Sequence, residues 1–141
     1  MSSQSLLLID DNDDFITLVK LFLEFETDWR IITALDGKEG ITKAQKLQPD
    51  LILLDVVMPN IDGIAVYKIL KSHQSTRSIP TIFFTAMLGM EKAIQSEVNA
   101  DVEVITKPMS IIFLKEQIID LYNRYLSLNL ESQRRIVEGC V

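Results

Sequence analysis

Residues 50–63 read DLILLDVVMPNIDG. Leu51 to Leu54 form an apolar run without alternation, the pattern of a short strand buried on both faces of a parallel sheet. The run ends in Asp55, and Pro59, Asn60, Asp62 and Gly63 then break the chain before a helical pattern resumes. A buried strand that ends in a carboxylate sets that carboxylate at the rim of a sheet, where a ligand can reach it.

Upstream, Leu6 to Ile9 is a second run of this kind and ends in Asp10 and Asp11. Asn12 or Asp13 is placed to cap a helix. Phe15, Leu18, Val19, Phe22 and Leu23 follow at i, i+3, i+4, i+7 and i+8, which predicts a one-faced amphipathic helix. Trp29 to Ala34 is a weaker strand, and a helix from Asp36-Gly37 to about Leu47 presents Ile41, Ala44 and Leu47 inward before Pro49.

Downstream, a helix spans Gly63 to about His73, with Ile64, Tyr67 and Leu70 at spacing three. Thr81 to Thr85 is a strand, Met90 to Val98 a helix of poorer pattern, and Val102 to Thr106 the last strand, followed by Lys107-Pro108. The last strong helix runs from about Ser110 to Leu126, with Leu114, Ile118, Leu121, Tyr122 and Tyr125 on one stripe. Strands and short-looped helices thus alternate, which predicts an α/β domain with a parallel sheet and helices on both faces. The domain is expected over residues 5–127, with 128–141 as a helical or disordered tail or linker.

The 141 residues suit one domain. A net charge of −6 argues against a nucleic-acid surface, which needs clustered Lys and Arg; the Arg134-Arg135 pair is the only basic patch. The one cysteine, Cys140, cannot close an internal disulfide, and no apolar run is long enough for a signal or a membrane span. A cytoplasmic protein without a membrane partner is the expectation.

Ligands of open α/β sheets bind outside the carboxyl ends of the strands. At those ends stand Asp10 and Asp11 (first strand), Asp55 (third), Thr85 (fourth) and Lys107 (fifth). Each alone has a bland reading: turn and cap for the acid pair, strand former for the threonine, solvated charge for the lysine. Their convergence on one edge is what points to chemistry. Clustered carboxylates repel unless a cation offsets them, and an oxygen-only donor set without His or Cys favours Mg2+ over zinc or copper. With a lysine and a hydroxyl opposite, the set describes phosphoryl transfer onto a carboxylate.

The motifs Asp10-Asp11, Asp55 with Met58-Pro59 and Asp62-Gly63, Thr85-Ala86 and Lys107-Pro108 together resemble the receiver domains of two-component response regulators, of the single-domain chemotaxis type. The resemblance covers about residues 5–127 and implies a flavodoxin-like sheet of strand order 2-1-3-4-5. It implies that Asp55 accepts a phosphoryl group from a histidine kinase or phosphotransfer protein. Mg2+ would be held by Asp11, Asp55 and the backbone carbonyl of Val57, with Asp10 acting through water. Lys107 would pair with Asp55 and then with the phosphoryl oxygens, and Thr85 would move toward them. The fourth helix, fifth strand and fifth helix would carry the change to a downstream protein target or to a second copy. The domain would then be a regulatory phosphoacceptor with intrinsic aspartyl-phosphate transfer and hydrolysis, not a conventional enzyme.

This chain departs from the family where Val104, a stiff β-branched residue, takes the switch position that often holds Tyr or Phe. Signal output through backbone or helix shifts is the corresponding expectation. Val57 and Met87, beside the site, are apolar and cannot orient an attacking water, so a long-lived aspartyl phosphate is expected. Two rival readings stand. One is a phosphorylation-independent interaction module; the other is a Mg2+-dependent phosphatase, which would need a general acid where Val57 stands.

Overall fold

The computed structural model describes residues 4–87, 89–99, 101–106 and 111–139, and within these the side chains except those of 129 and 131–139. Lys107 and Pro108, Cys140 and the Arg134-Arg135 side chains, all singled out in the sequence, lie outside what is described. The chain forms two compact units, Met1–Pro108 and Met109–Val141.

The first unit holds β1 (Ser5–Ile9), α1 (Asp13–Glu26), β2 (Arg30–Ala34), α2 (Gly37–Leu47), β3 (Leu51–Asp55), α3 (Gly63–Ser72), β4 (Thr81–Thr85), α4 (Glu91–Glu97) and β5 (Val104–Thr106). All neighbouring strands pair in parallel, in the order β2-β1-β3-β4-β5. The expected α/β sheet and its order are thereby met. β1 and β3 occupy the interior of the sheet, which is why Leu6 to Ile9 and Leu51 to Leu54 are uniformly apolar and at most 1% exposed.

Alternation divides the strand side chains between two layers. Leu7, Ile9, Ile52, Leu54 and Phe83 form one core with Ala44 of α2, Val66 and Leu70 of α3, and Ile94 of α4. Leu6, Leu8, Leu53, Asp55 and Phe84 point the other way, toward the side where Phe15 of α1 meets Phe84. Glycine permits the close packing of α2: a Cβ on Gly40 would stand 2.5 Å from Cδ1 of Ile9.

The helix faces differ in detail from those the spacing suggests. α1 buries Ile16, Val19 and Leu23, while Leu18 is 54% exposed. α2 buries Gly37, Gly40 and Ala44, leaving Leu47 exposed, and α3 turns Val66 and Leu70 inward with Ile64 and Tyr67 half-buried. Apolar periodicity locates a stripe to within one residue of helix rotation, about 100°. The tertiary contacts decide which neighbour is covered.

The second unit is one helix, α5 (Ile111–Gly139). Helical backbone thus runs without a break from Ile111 to Gly139, into the segment expected as a helical or disordered tail. Its buried residues Leu114, Ile118 and Tyr122 recur every four positions, whereas Ile112 and Phe113 are exposed. Among the described residues no helix is long and apolar enough to cross a membrane.

Candidate functional site

Ile9 of β1 pairs with Leu54 of β3, so the next residues, Asp10 and Asp55, emerge side by side at the carboxyl edge of the sheet. The Asp10 N–H continues the ladder by donating to the Ala34 carbonyl at 3.1 Å. Its Oδ1 accepts the Asn12 N–H at 2.9 Å, a tight turn that reverses the chain. Asn12 then caps α1, its Oδ1 accepting the Phe15 N–H at 3.1 Å. Asp13 and Asp14 follow in the first turn, where the helix dipole favours acids.

One carboxylate oxygen each from Asp10, Asp11 and Asp55 lies within 4.8 Å of the other two. Asp10 and Asp55 are buried, at 1% and 6% exposure, and Asp11 is open to solvent. Burying anionic groups together is costly unless cations or donors compensate. Three converging carboxylates, two walled by protein and one facing water, fit a hard cation that keeps part of its water shell. The acids the sequence points to are therefore brought together.

After Asp55 the chain turns sharply. The Val56 N–H donates to the Phe84 carbonyl at 3.2 Å, and the Val56 carbonyl accepts the Gly63 N–H at 2.8 Å. Between them Asn60 adopts a left-handed φ of 71°, which asparagine tolerates better than most residues. Asp62 caps α3 through the Ala65 N–H at 2.9 Å, so its carboxylate serves the helix. Val57 and Met87, each two residues past its strand end, are 56% and 52% exposed.

Thr85 ends β4 in register with Thr106 of β5 and is 1% exposed, its Oγ1 accepting the Met87 N–H at 3.2 Å. Val104 pairs with Phe83 and is half-buried against the core. Lys107 directly follows β5 in the chain and is outside the described residues. Two features escape a reading of the sequence, namely the approach of Gly63 to the main chain of Asp55 and the Phe15–Phe84 contact. The aromatic contact joins elements on either side of β3, the glycine contact closes the loop that leaves β3, and only the Asp-Gly pair leaves a trace, as a turn signal.

A doubly wound parallel sheet with converging acids at its carboxyl edge defines an α/β protein of flavodoxin-like build. Residues 6–119 match the response regulator receiver domain family, and the chain belongs to it. It is 33% identical over 132 residues to the response regulator PleD of Caulobacter vibrioides, covering 94% of this chain and 29% of PleD. It is 38% identical over 109 residues to the alkaline phosphatase synthesis transcriptional regulatory protein PhoP of Bacillus subtilis, covering 77% of this chain and 44% of that one. The chain thus spans less than half the length of these relatives.

Among solved structures, the receiver domain of the Francisella response regulator 1452 is 30% identical, with a TM-score of 0.74 over 86% of this chain and 98% of that one. The Vibrio cholerae chemotaxis protein CheY4 shares the fold at 24% identity and a TM-score of 0.76, over 84% of this chain and 98% of that one. This chain is a receiver domain of two-component signalling, a regulatory module, as its motifs imply.

Proposed function

We propose that Asp55 is the phosphoacceptor of this receiver domain and that a histidine kinase or phosphotransfer protein is its donor. One Asp55 carboxylate oxygen attacks the phosphorus of a phosphohistidine. The O–P bond forms as the P–N bond breaks, and the bonding pair returns to the imidazole nitrogen. The observation that carries this reading is the convergence of Asp10, Asp11 and Asp55 at the carboxyl edge, with Asp55 on the central strand.

Asp11, Asp55 and the Val57 carbonyl would hold Mg2+, with Asp10 contributing through water. The bound ion supplies charge neutralisation to the phosphoryl oxygens and orients them. Asp10 is buried and tied to the Asn12 N–H, which suits an acid that orients rather than reacts. Lys107 is assigned to the phosphoryl oxygens and to Asp55. Thr85, buried with its hydroxyl at the strand end, is assigned to recognising the added group.

Output runs through backbone and helix shifts, because Val104 offers no ring to rotate. α4 suits such a shift: it has seven residues, no side-chain cap at Met90, and Ile94 as its buried residue. The receiver is assigned to residues 5–127 of a cytoplasmic protein, with residues 128–141 as a tail or linker. α4, β5 and α5 are the elements assigned to meeting a downstream protein or a second copy.

The test is acetyl phosphate or beryllofluoride with Mg2+, read by intact mass and Trp29 fluorescence. An adduct is expected in the native chain and none in Asp55→Asn. No adduct in the native chain, or an undiminished one in Asp55→Asn, overturns the assignment and favours an interaction module that works without phosphorylation.

A further inference from the structure

β3, which carries Asp55, lies between β1 and β4 in the sheet. Phe84 of β4 is the register partner of Asp55, so the two side chains share one face. Phe15 belongs to the helix that follows β1, on the far side of β3. Its ring nonetheless meets the Phe84 ring, with centroids 5.6 Å apart and planes inclined at 31°. Neighbouring strands are about 4.8 Å apart, so β1 and β4 are separated by roughly 10 Å. The contact therefore spans the strand that bears Asp55.

We infer that Phe15 is a positioning residue for the acid cluster: by resting on Phe84 it sets the distance between the Asp10-Asp11 turn and Asp55, and with it the affinity for a divalent cation. The inference rests on the reading of this cluster as a Mg2+ site.

Phe15 is joined to the acid turn through its backbone as well as through its place in the chain. Its N–H is the one that Asn12 caps, and the Asn12 N–H in turn holds Asp10 Oδ1. A displacement of the Phe15 ring is thus passed through two hydrogen bonds to the Asp10 carboxylate, the acid assigned to the ion's water shell, and along the turn to Asp11. Phe15 is not among the residues that anchor α1, since Ile16, Val19 and Leu23 are its buried stripe and Phe15 is half-buried. Phe84 is fully buried, so its ring is a rigid seat. Aromatic pairs carry a preferred mutual geometry and stabilise it beyond the area they bury.

The experiment is Mg2+ titration by calorimetry on the native chain and on Phe15→Ala, Phe15→Leu, Phe15→Tyr and Val19→Ala, with urea unfolding of each. Loss of groups that orient metal ligands commonly costs tenfold or more in affinity, so Phe15→Ala is expected to raise the Mg2+ Kd roughly tenfold. Phe15→Tyr, which keeps the ring, should stay within about twofold of native. Val19→Ala weakens α1 without touching the acid turn and should lower the urea midpoint while leaving the Kd unchanged.

If Phe15→Ala does not fold, Phe15→Leu carries the comparison, with an expected rise of about threefold. A folded Phe15→Ala with native Kd overturns the inference, and so does a Val19→Ala whose Kd rises as far. Absence of Mg2+ binding by the native chain overturns the metal reading together with this inference. Adduct formation by the native chain beside an insensitive Phe15→Ala overturns this inference alone.

Discussion

Gly63 lies so close to the main chain of Asp55 that a Cβ there would collide with the Asp55 carbonyl oxygen and stand 2.8 Å from Cα of Val56. The Gly63 N–H meanwhile donates to the Val56 carbonyl at 2.8 Å, so the approach is held by a hydrogen bond. β3, which carries Asp55, and the start of α3 are thereby locked through backbone alone. Gly63→Ala must push apart two backbones in order to fit a methyl group. A loss of about 2–3 kcal/mol in urea unfolding is expected, as for overpacked interiors. A loss under about 0.5 kcal/mol would show that the loop yields freely.

Cation binding should be visible as stability. At free Mg2+ of about 100 times its Kd, linkage adds about 2.7 kcal/mol to the folded state. Asp11 is exposed, so Asp11→Asn should leave the metal-free fold intact while removing most of the Mg2+-linked gain. Thermal unfolding with and without chelator reads both quantities. An equal gain in the variant would remove Asp11 from the ligand set.

Phospho-Asp55 should be long-lived. Val57 and Met87, each two residues beyond the end of its strand at Asp55 or Thr85, are half-exposed and apolar, and neither side chain can hold a water in line with the phosphorus. Val57→Asn and Met87→Lys supply polar groups at those positions and should each shorten the half-life several-fold, followed by mass after donor removal. Decay of the native adduct within seconds would refute the expectation.

Acid sensitivity has one assigned contributor at the start of α2. The Lys43 ammonium, 2.8 Å from Glu39 Oε1, and the Leu35 N–H, 3.1 Å from Oε2, hold the Glu39 carboxyl below its ordinary 4.5. Since the folded-state value is the lower one, its stabilisation is complete above 4.5 and disappears as pH falls through the folded value. The pair is partly solvated, so about 0.5 kcal/mol is at stake. Glu39→Gln should be less stable than native at pH 7 by that amount and equal to it near pH 2. A gap that persists in acid would point to lost packing instead.

Much of the site is legible in the amino-acid sequence. Asp10, Asp11, Asp55 and Thr85 each end or follow an apolar run too short for a helix, and parallel strands send their carboxyl ends to one edge. Helix faces are legible only approximately: Leu18 and Leu47 continue the apolar spacing yet face solvent, because periodicity does not say where the neighbouring layer ends. The full length of α5 is not legible either, since the apolar residues of its continuation, Leu128, Leu130, Ile136 and Val137, keep no single helical stripe to mark it as far as Gly139.

The amino-acid order by itself determined the alternation of elements and the chemistry at the strand ends. Both follow from local patterns, namely buried runs, caps and breakers within a few residues of each other. Only the tertiary structure decided that Gly63 must lack a side chain and that Phe15 rests on Phe84 across the strand of Asp55. The aromatic contact joins segments separated by other strands in the chain, and the glycine contact closes a loop back onto the strand it leaves. The Asp-Gly turn signal does not show how closely the loop returns, and no local pattern encodes the aromatic contact, because the strand order and the close packing that follows set it.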